Sequence, residues 1–191
     1  MLKTFLKSES GKILKGLLLI QPKIFKDERG LFFESWNQKK FNELTSNPIQ
    51  FVQDNRSQSS KGVLRGLHYQ IAPHAQGKLV SCTRGEIFDI AVDIRMKSET
   101  FGEWAGVYLD SNIHQQLWIP EGFAHGFLTL SDSADVLYKT TNFWHAESER
   151  IIRWDDKDIN IKWPKTKIAP NLSEKDSKAS FLSEIKTQYL F

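Results

Sequence analysis

The chain has 191 residues, 40% hydrophobic, 26% charged and 12% aromatic: enough apolar material for one buried core and too much for a disordered chain. Its 26 Lys and Arg against 23 Asp and Glu give a net charge of +3, too small an excess to argue for nucleic acid, while an anionic small molecule stays open. The lone cysteine, Cys82, excludes an intrachain disulfide and a thiolate metal cluster and fits a reducing compartment.

Near the N-terminus the longest apolar run, Leu17 to Ile20, has four residues. No stretch approaches the ~20 apolar residues that cross a bilayer, so a soluble cytoplasmic protein without signal peptide or membrane partner is expected. From Gly16 to about Trp163 short segments alternate with period two between Gly, Pro, Asn and Ser punctuation. The expected strands are Leu31 to Trp36, Gln50 to Arg56, Leu64 to Gln70, Lys78 to Thr83, Trp104 to Asp110, Gln115 to Pro120, Ala124 to Leu130 and Asp135 to Asn142. The clearest alternation sets Phe88, Ile90, Val92 and Ile94 on one face and Asp89, Ala91, Asp93 and Arg95 on the other. Turns fall at Asp27 to Gly30, Ser59 to Gly62, Arg84-Gly85, Ser111-Asn112 and Ser131 to Ser133. Helix signals are confined to Lys39 to Leu44 after Asn37, and to Ser180 to Gln188, where Phe181, Leu182 and Ile185 recur at helical spacing.

So many short strands must close into a barrel or stack as two sheets. The expected fold is all-β, a jelly roll with short peripheral helices, in a single domain over residues 1–191, since no repeat, low-complexity tract or linker divides the chain.

Two stretches repeat a theme of turn, strand and histidine: Gly62-Val63-Leu64-Arg65-Gly66-Leu67-His68-Tyr69-Gln70 and Pro120-Glu121-Gly122-Phe123-Ala124-His125. They are similar to the two signature stretches of the cupin superfamily. Metal-binding cupins carry His-x-His and a following Glu in the first stretch; here the second position is Gln70, and no Glu intervenes before Glu86. The ligand set resembles that of a cupin stripped of its metal, leaving His68 and His125 for acid–base or binding work.

Six motifs in register extend the likeness: Phe25 to Ser35, Gln53-Asp54-Asn55, Val63 to His68, Gln76-Gly77-Lys78, Trp118 to Phe127 and Leu137-Tyr138-Lys139. Together they resemble the dTDP-4-dehydrorhamnose 3,5-epimerase family from about Ile20 to Asp176. The resemblance implies inversion at two carbons flanking the ketone of a nucleotide-linked 4-keto-6-deoxyhexose, dTDP-4-dehydro-6-deoxy-D-glucose. Such chemistry needs a base on one face, an acid on the other and a cation or donor at the enolate oxygen, and requires neither metal nor other cofactor.

By resemblance His68 is the base, and Asp176 is the carboxylate that fixes its tautomer and stabilises the imidazolium. Lys78 is the cation beside the ketone, and Tyr138 is the proton donor. Without the family, Asp176 reads equally as a solvated charge, Lys78 as a surface lysine and Tyr138 as a packed strand residue. Arg29 and Arg65 match positions suited to a diphosphate. Glu34, Gln53, Asn55, His125, Glu149 and Lys175 match positions around nucleotide and sugar. In a regular strand Arg65 and His68 face opposite sides, so both reach a substrate only if Gly66 sits at a bulge or bend. Leu31 and Phe143 depart from the commoner family pattern where rings meet the thymine, which bears on base preference. The family also implies a homodimer, with the N-terminal strands as material for pairing across the two-fold. The alternatives are a single-site epimerase or ketoisomerase on a related dTDP-sugar, and a non-catalytic sugar-nucleotide-binding cupin; Gln70 disfavours a metal-dependent oxygenase.

Overall fold

Two antiparallel sheets stack face to face in the computed structural model, which describes residues 1–191. The six-stranded sheet runs in the order β1 (Leu2–Lys7), β2 (Ile13–Gln21), β10 (Gln116–Ile119), β7 (Lys78–Arg84), β12 (Ser133–Thr140) and β5 (Gln53–Ser60). The five-stranded sheet runs β13 (Glu149–Ile151), β6 (Leu64–Gln70), β11 (Phe123–Thr129), β8 (Glu86–Asp93) and β9 (Trp104–Asp110). A separate hairpin pairs β3 (Ile24–Asp27) with β4 (Gly30–Phe33). This is the expected all-β jelly roll, built as a cupin-like sandwich and not as a closed barrel.

Three apolar layers hold it. Between the sheets, Leu14, Leu17, Val80, Leu117 and Val136 from one side meet Ile87, Leu109, Phe123 and Phe127 from the other. Burying each such side chain contributes about 1.5–3 kcal/mol. A second layer covers the outer face of the five-stranded sheet: Phe88, Ile90, Val92 and Ile94 pack under Ile152, Ile159 and Leu182. The third lies under α1 (Gln38–Thr45), whose fully buried Phe41 meets Trp118 edge-on at 5.1 Å. Asn37 caps that helix, its side-chain oxygen accepting from Lys40 N at 3.0 Å, as the sequence signal anticipates.

The expected strands Leu64–Gln70 and Trp104–Asp110 coincide with β6 and β9, and the others shift by a few residues at their ends. The alternation pattern does not single out β1, β3 or β13, and marks β2 only by its apolar run Leu17 to Ile20. The expected helix over Ser180 to Gln188 does not form; two single 3₁₀ turns, Leu182–Glu184 and Thr187–Tyr189, stand in its place. The cause is tertiary. The buried Asp156 carboxylate accepts from Leu182 N at 2.6 Å, and Phe191 exchanges backbone hydrogen bonds with Ile94 and Met96. Those bonds stretch the segment across the second apolar layer, where Leu182, Ile185, Leu190 and Phe191 are used. No helix is long and apolar enough to cross a membrane.

Candidate active site

The cavity that matters lies between the sheets, and its walls belong to different sheets. His68 comes from β6 of the five-stranded sheet; Lys78 and Tyr138 come from β7 and β12 of the six-stranded sheet. All three line two adjoining lobes of about 240 and 340 Å³, shared also by Trp144 and Glu149. Strand alternation explains the aim of the six-stranded side: Val80 and Val136, two residues from Lys78 and Tyr138, point into the inter-sheet core.

On β6 the alternation is broken where the sequence requires it. His68 pairs with His125 and Arg65 with Phe127, so three steps on β6 oppose two on β11, the signature of a bulge. Gly66, at φ +132°, occupies the break, and a Cβ there would lie 2.5 Å from Gly126 Cα and 2.9 Å from His125 O. Only glycine permits that approach. The bulge brings Arg65 and His68 to the same cavity.

The imidazole of His68 stands between two carboxylates. Its Nε2 lies 2.6 Å from Asp176 Oδ1 and its Nδ1 3.3 Å from Glu149 Oε1. Asp176 reaches it from α2 (Glu174–Ser177), a single turn capped by Ser173, whose hydroxyl also donates to Asp176 Oδ2 at 2.7 Å. Backbone bridges from Asn171 to Val63 and from Ser180 to Ile152 clamp this segment on both sides, which is how a residue so distant in sequence meets His68. Burial would raise the Asp176 carboxyl, but hydrogen bonds with His68 and Ser173 hold it below the usual carboxylate range. Glu149 is held at about 2 by its contact with His68, a hydrogen bond when the imidazole carries a proton on Nδ1, and by its 2.8 Å pair with Lys175, against the pull of burial.

Lys78 is 8% exposed and donates to His68 O at 3.2 Å. Burial pushes its ammonium down to about 8, partly offset by Glu149 and Asp89. Burial likewise raises the Tyr138 phenol, with Arg65 acting the other way, so the hydroxyl keeps its proton at neutral pH. His125 is buried, its Nε2 2.6 Å from Asp89 Oδ1; burial lowers its affinity for a proton and Asp89 opposes this.

Most of the expected binding residues surround the same space. Gln53 and Asn55, bonded to each other at 2.8 Å, line the smaller lobe, and Arg65, His125 and Lys175 the larger. Arg29 and Glu34 lie elsewhere. Arg29 sits at the tip of the β3–β4 hairpin, 83% exposed and paired with Asp27, and Glu34 is bound to Lys40 and Asn37. Neither lines the cavity of its own chain.

Sequence reasoning missed Asp89 as a partner for His125. The face Asp89, Ala91, Asp93 is the more polar one, yet all three are 0% exposed, because it is this face that turns toward the six-stranded sheet while the C-terminal segment covers the apolar one. It also misses Gln76, Trp144, Ser57 and Ser173 as lining residues; Gln76 lies two residues before Lys78 in the Gln76-Gly77-Lys78 motif, while the others carry no local signal. No group of three or more His, Cys, Asp or Glu side chains is arranged to hold a metal ion.

Comparison with known proteins fits this geometry. The family described as dTDP-4-dehydrorhamnose 3,5-epimerase matches residues 12–184. A Shigella flexneri protein of that description is 59% identical over 163 residues, 85% of this chain and 89% of its own. The crystal structure of dTDP-6-deoxy-D-glucose-3,5-epimerase from Legionella pneumophila, in complex with dTDP-4-keto-L-rhamnose, superposes with a TM-score of 0.91 at 47% identity, covering 99% of this chain and 97% of that one. A 3'-monoepimerase from Streptomyces bikiniensis, in complex with dTDP-quinovose, gives 0.83 at 32% identity, with 88% and 84% covered. Such coverage at such identity settles the kinship: the chain belongs to the dTDP-4-dehydrorhamnose 3,5-epimerase family of isomerases.

Proposed function

We propose that His68 and Tyr138 invert carbons 3 and 5 of dTDP-4-dehydro-6-deoxy-D-glucose, giving dTDP-4-dehydro-L-rhamnose for dTDP-rhamnose biosynthesis. Asp176 accepts from Nε2–H of the neutral His68, which leaves the lone pair on Nδ1; a sugar entering beside Glu149 meets that nitrogen, which takes the proton next to the ketone and then, as the imidazolium, donates it in a hydrogen bond to Glu149. The C–H electron pair forms a C=C bond to the carbonyl carbon as the C=O π pair moves to oxygen, and the enolate forms beside the Lys78 ammonium. The imidazolium is stabilised by Asp176 on one nitrogen and Glu149 on the other. Tyr138 delivers its phenolic proton to the carbon from the opposite wall. Solvent then reprotonates the phenolate and takes the proton from His68, so the balance closes and the cycle repeats at the second carbon. No cofactor enters these steps.

The observation that carries the reading is the placement of His68 and Tyr138 on different sheets with one cavity between them. Inversion needs the base and the acid on opposite faces of the planar enolate. Gln53, Asn55, Arg65, His125, Glu149 and Lys175 hold the sugar and diphosphate in this reading. The protein works as a homodimer in the cytoplasm, where the free thiol of Cys82 is stable. Phe25, Leu31 and Phe32 on the hairpin are 51%, 48% and 70% exposed. A second copy docking there covers them and offers Arg29 and Glu34 to the nucleotide end of its neighbour's cavity.

Incubation with dTDP-4-keto-6-deoxyglucose in deuterated water, followed by NMR, tests the reading. Deuterium at both carbons with inverted products is expected. Incorporation at one carbon only assigns a single-site epimerase, and binding without exchange assigns a non-catalytic module.

A further inference from the structure

We infer that Gln70 is a positioning residue that sets one wall of the reaction cavity by stapling two loops together; the inference rests on the epimerase reading for its turnover readout. Gln70 lies two residues past His68 on β6, lines the same cavity and is 3% exposed. Its side chain offers no donor to a substrate. Its amide nitrogen donates to His74 O at 2.6 Å and to Phe143 O at 3.1 Å, and its amide oxygen accepts from His145 N at 2.8 Å. Two carbonyls and one N–H admit only one orientation of the amide and use both of its donors.

The two loops held this way run side by side where the chain crosses between the sheets. One follows β6 and leads to Lys78; the other follows β12 and Tyr138. Between the two backbone groups that Gln70 fixes on the second loop sits Trp144. Its own N–H is held by Gln53 Oε1 at 3.1 Å. Trp144 is 58% exposed and Phe143 63%, so side-chain packing does little to place them, yet Trp144 lines both lobes of the cavity. The position of that indole is therefore set mainly through its backbone, by the amides of Gln70 and Gln53. His74 and His145 complete the clasp, their rings stacked 3.9 Å apart and tilted by 11°. At the strand position where a metal-binding cupin carries its second histidine ligand, this chain has a staple.

The consequence is a division of labour on β6: His68 moves protons, and Gln70 governs how tightly the sugar nucleotide is held. Gln70→Met keeps the volume and removes all three hydrogen bonds. It is expected to raise KM for the 4-keto sugar nucleotide and to weaken binding of unreactive dTDP-glucose by calorimetry, each about tenfold, while kcat stays within about threefold. Gln70→Glu turns a carboxylate toward two carbonyl oxygens; its protonated form regains one donor, so its KM relative to wild type should shrink as the pH falls from about 8 to about 5.5. Trp144→Ala, an exposed substitution that leaves folding intact, should reproduce the KM and dTDP-glucose effects. The double variant with Gln70→Met should be no worse than the poorer single variant, since both act on one wall. A fall in kcat at constant KM, a pH-independent KM ratio for Gln70→Glu, a normal Trp144→Ala, or multiplying effects in the double variant would each overturn the inference. Failure of the epimerase reading shows separately, as absent turnover in the wild type, and the dTDP-glucose affinities still judge Gln70.

Discussion

In the proposed mechanism Asp176→Asn isolates the carboxylate behind the base. The substitution preserves shape, and Asn can still accept from the Ser173 hydroxyl, but it removes the negative charge 2.6 Å from His68 Nε2. Two unit charges about 4 Å apart at an effective dielectric of ~20 are worth about 4 kcal/mol, or roughly a thousandfold in rate if the imidazolium is fully formed at the transition state. Glu149, 3.3 Å from the other nitrogen, remains and returns part of this. The expected loss in kcat is therefore about 100- to 1000-fold, with KM little changed because Asp176 is 2% exposed behind the imidazole. Deuterium uptake at each carbon, measured under saturating substrate, is the assay. The same charge has a thermodynamic signature: the folded Asp176 carboxyl lies below its unfolded value, so its stabilisation is present above that value and lost as the pH falls through the folded one. The melting temperature of the variant should thus lie below wild type at neutral pH, and the gap should close in acid. A kcat within threefold of wild type would refute the assignment of Asp176 as the partner of the base.

Tyr138→Phe should keep proton abstraction by His68 but lose the opposite-face donor, so NMR should show substrate exchanging with solvent while inverted product falls about 10²–10⁴-fold. Turnover should decline as the pH rises through about 8, where buried Lys78 loses its charge, and Lys78→Met should abolish this alkaline limb while costing about 10²–10³ in kcat. Stability moves the other way there: the folded Lys78 binds a proton less readily than the unfolded one, so its contribution to the unfolding free energy increases between about pH 8 and its unfolded value of about 10.4, read by melting curves across that range. Gly66→Ala must accommodate a Cβ 2.5 Å from Gly126 Cα at φ +132°. A cost of about 2–4 kcal/mol, or a drop of about 5–15 °C in melting temperature, is expected by calorimetry, with activity lost in the folded fraction.

The elements most legible in the sequence were those whose signal is local. β6 and β9 are set by alternation and bounded by turns, and α1 is marked by its cap at Asn37. The bulge at Gly66 was legible too, because a parity conflict between Arg65 and His68 in a single strand has few physical solutions. What was not legible depends on distant chain. Asp89 lies on the more polar face of its strand, and alternation alone does not say that both faces are covered; the C-terminal segment covers the apolar one. The same segment lost its helical spacing for that reason, since Leu182 and Phe191 gain more from reaching Asp156, Ile94 and the second apolar layer than from local hydrogen bonds. The meeting of Asp176 with His68 was available only through family likeness, as nothing in a polar, lysine-bearing stretch announces that it will be clamped between two backbone bridges.

The sandwich itself bears on which isomerisation this site suits. A base and an acid on one sheet would address one face of the sugar, and a proton removed there would return to the side it left. Drawing His68 from the five-stranded sheet and Tyr138 from the six-stranded one sets them across the gap between sheets. Side chains fill that gap elsewhere in the sandwich, but here lobes of about 240 and 340 Å³ stay open between the two groups. Lys78 shares the sheet of Tyr138 and donates to the backbone of His68, so in the proposed reaction one cation serves the ketone oxygen that both steps charge. Since both carbons flank the same ketone, a sugar pivoting about a carbonyl held at Lys78 can present each in turn to the same pair. In the proposed reaction one base, one acid and one cation therefore suffice for two inversions, and a change that lets the ketone drift from Lys78 should impair both centres together, whereas a change confined to the rim should alter affinity and leave their ratio intact.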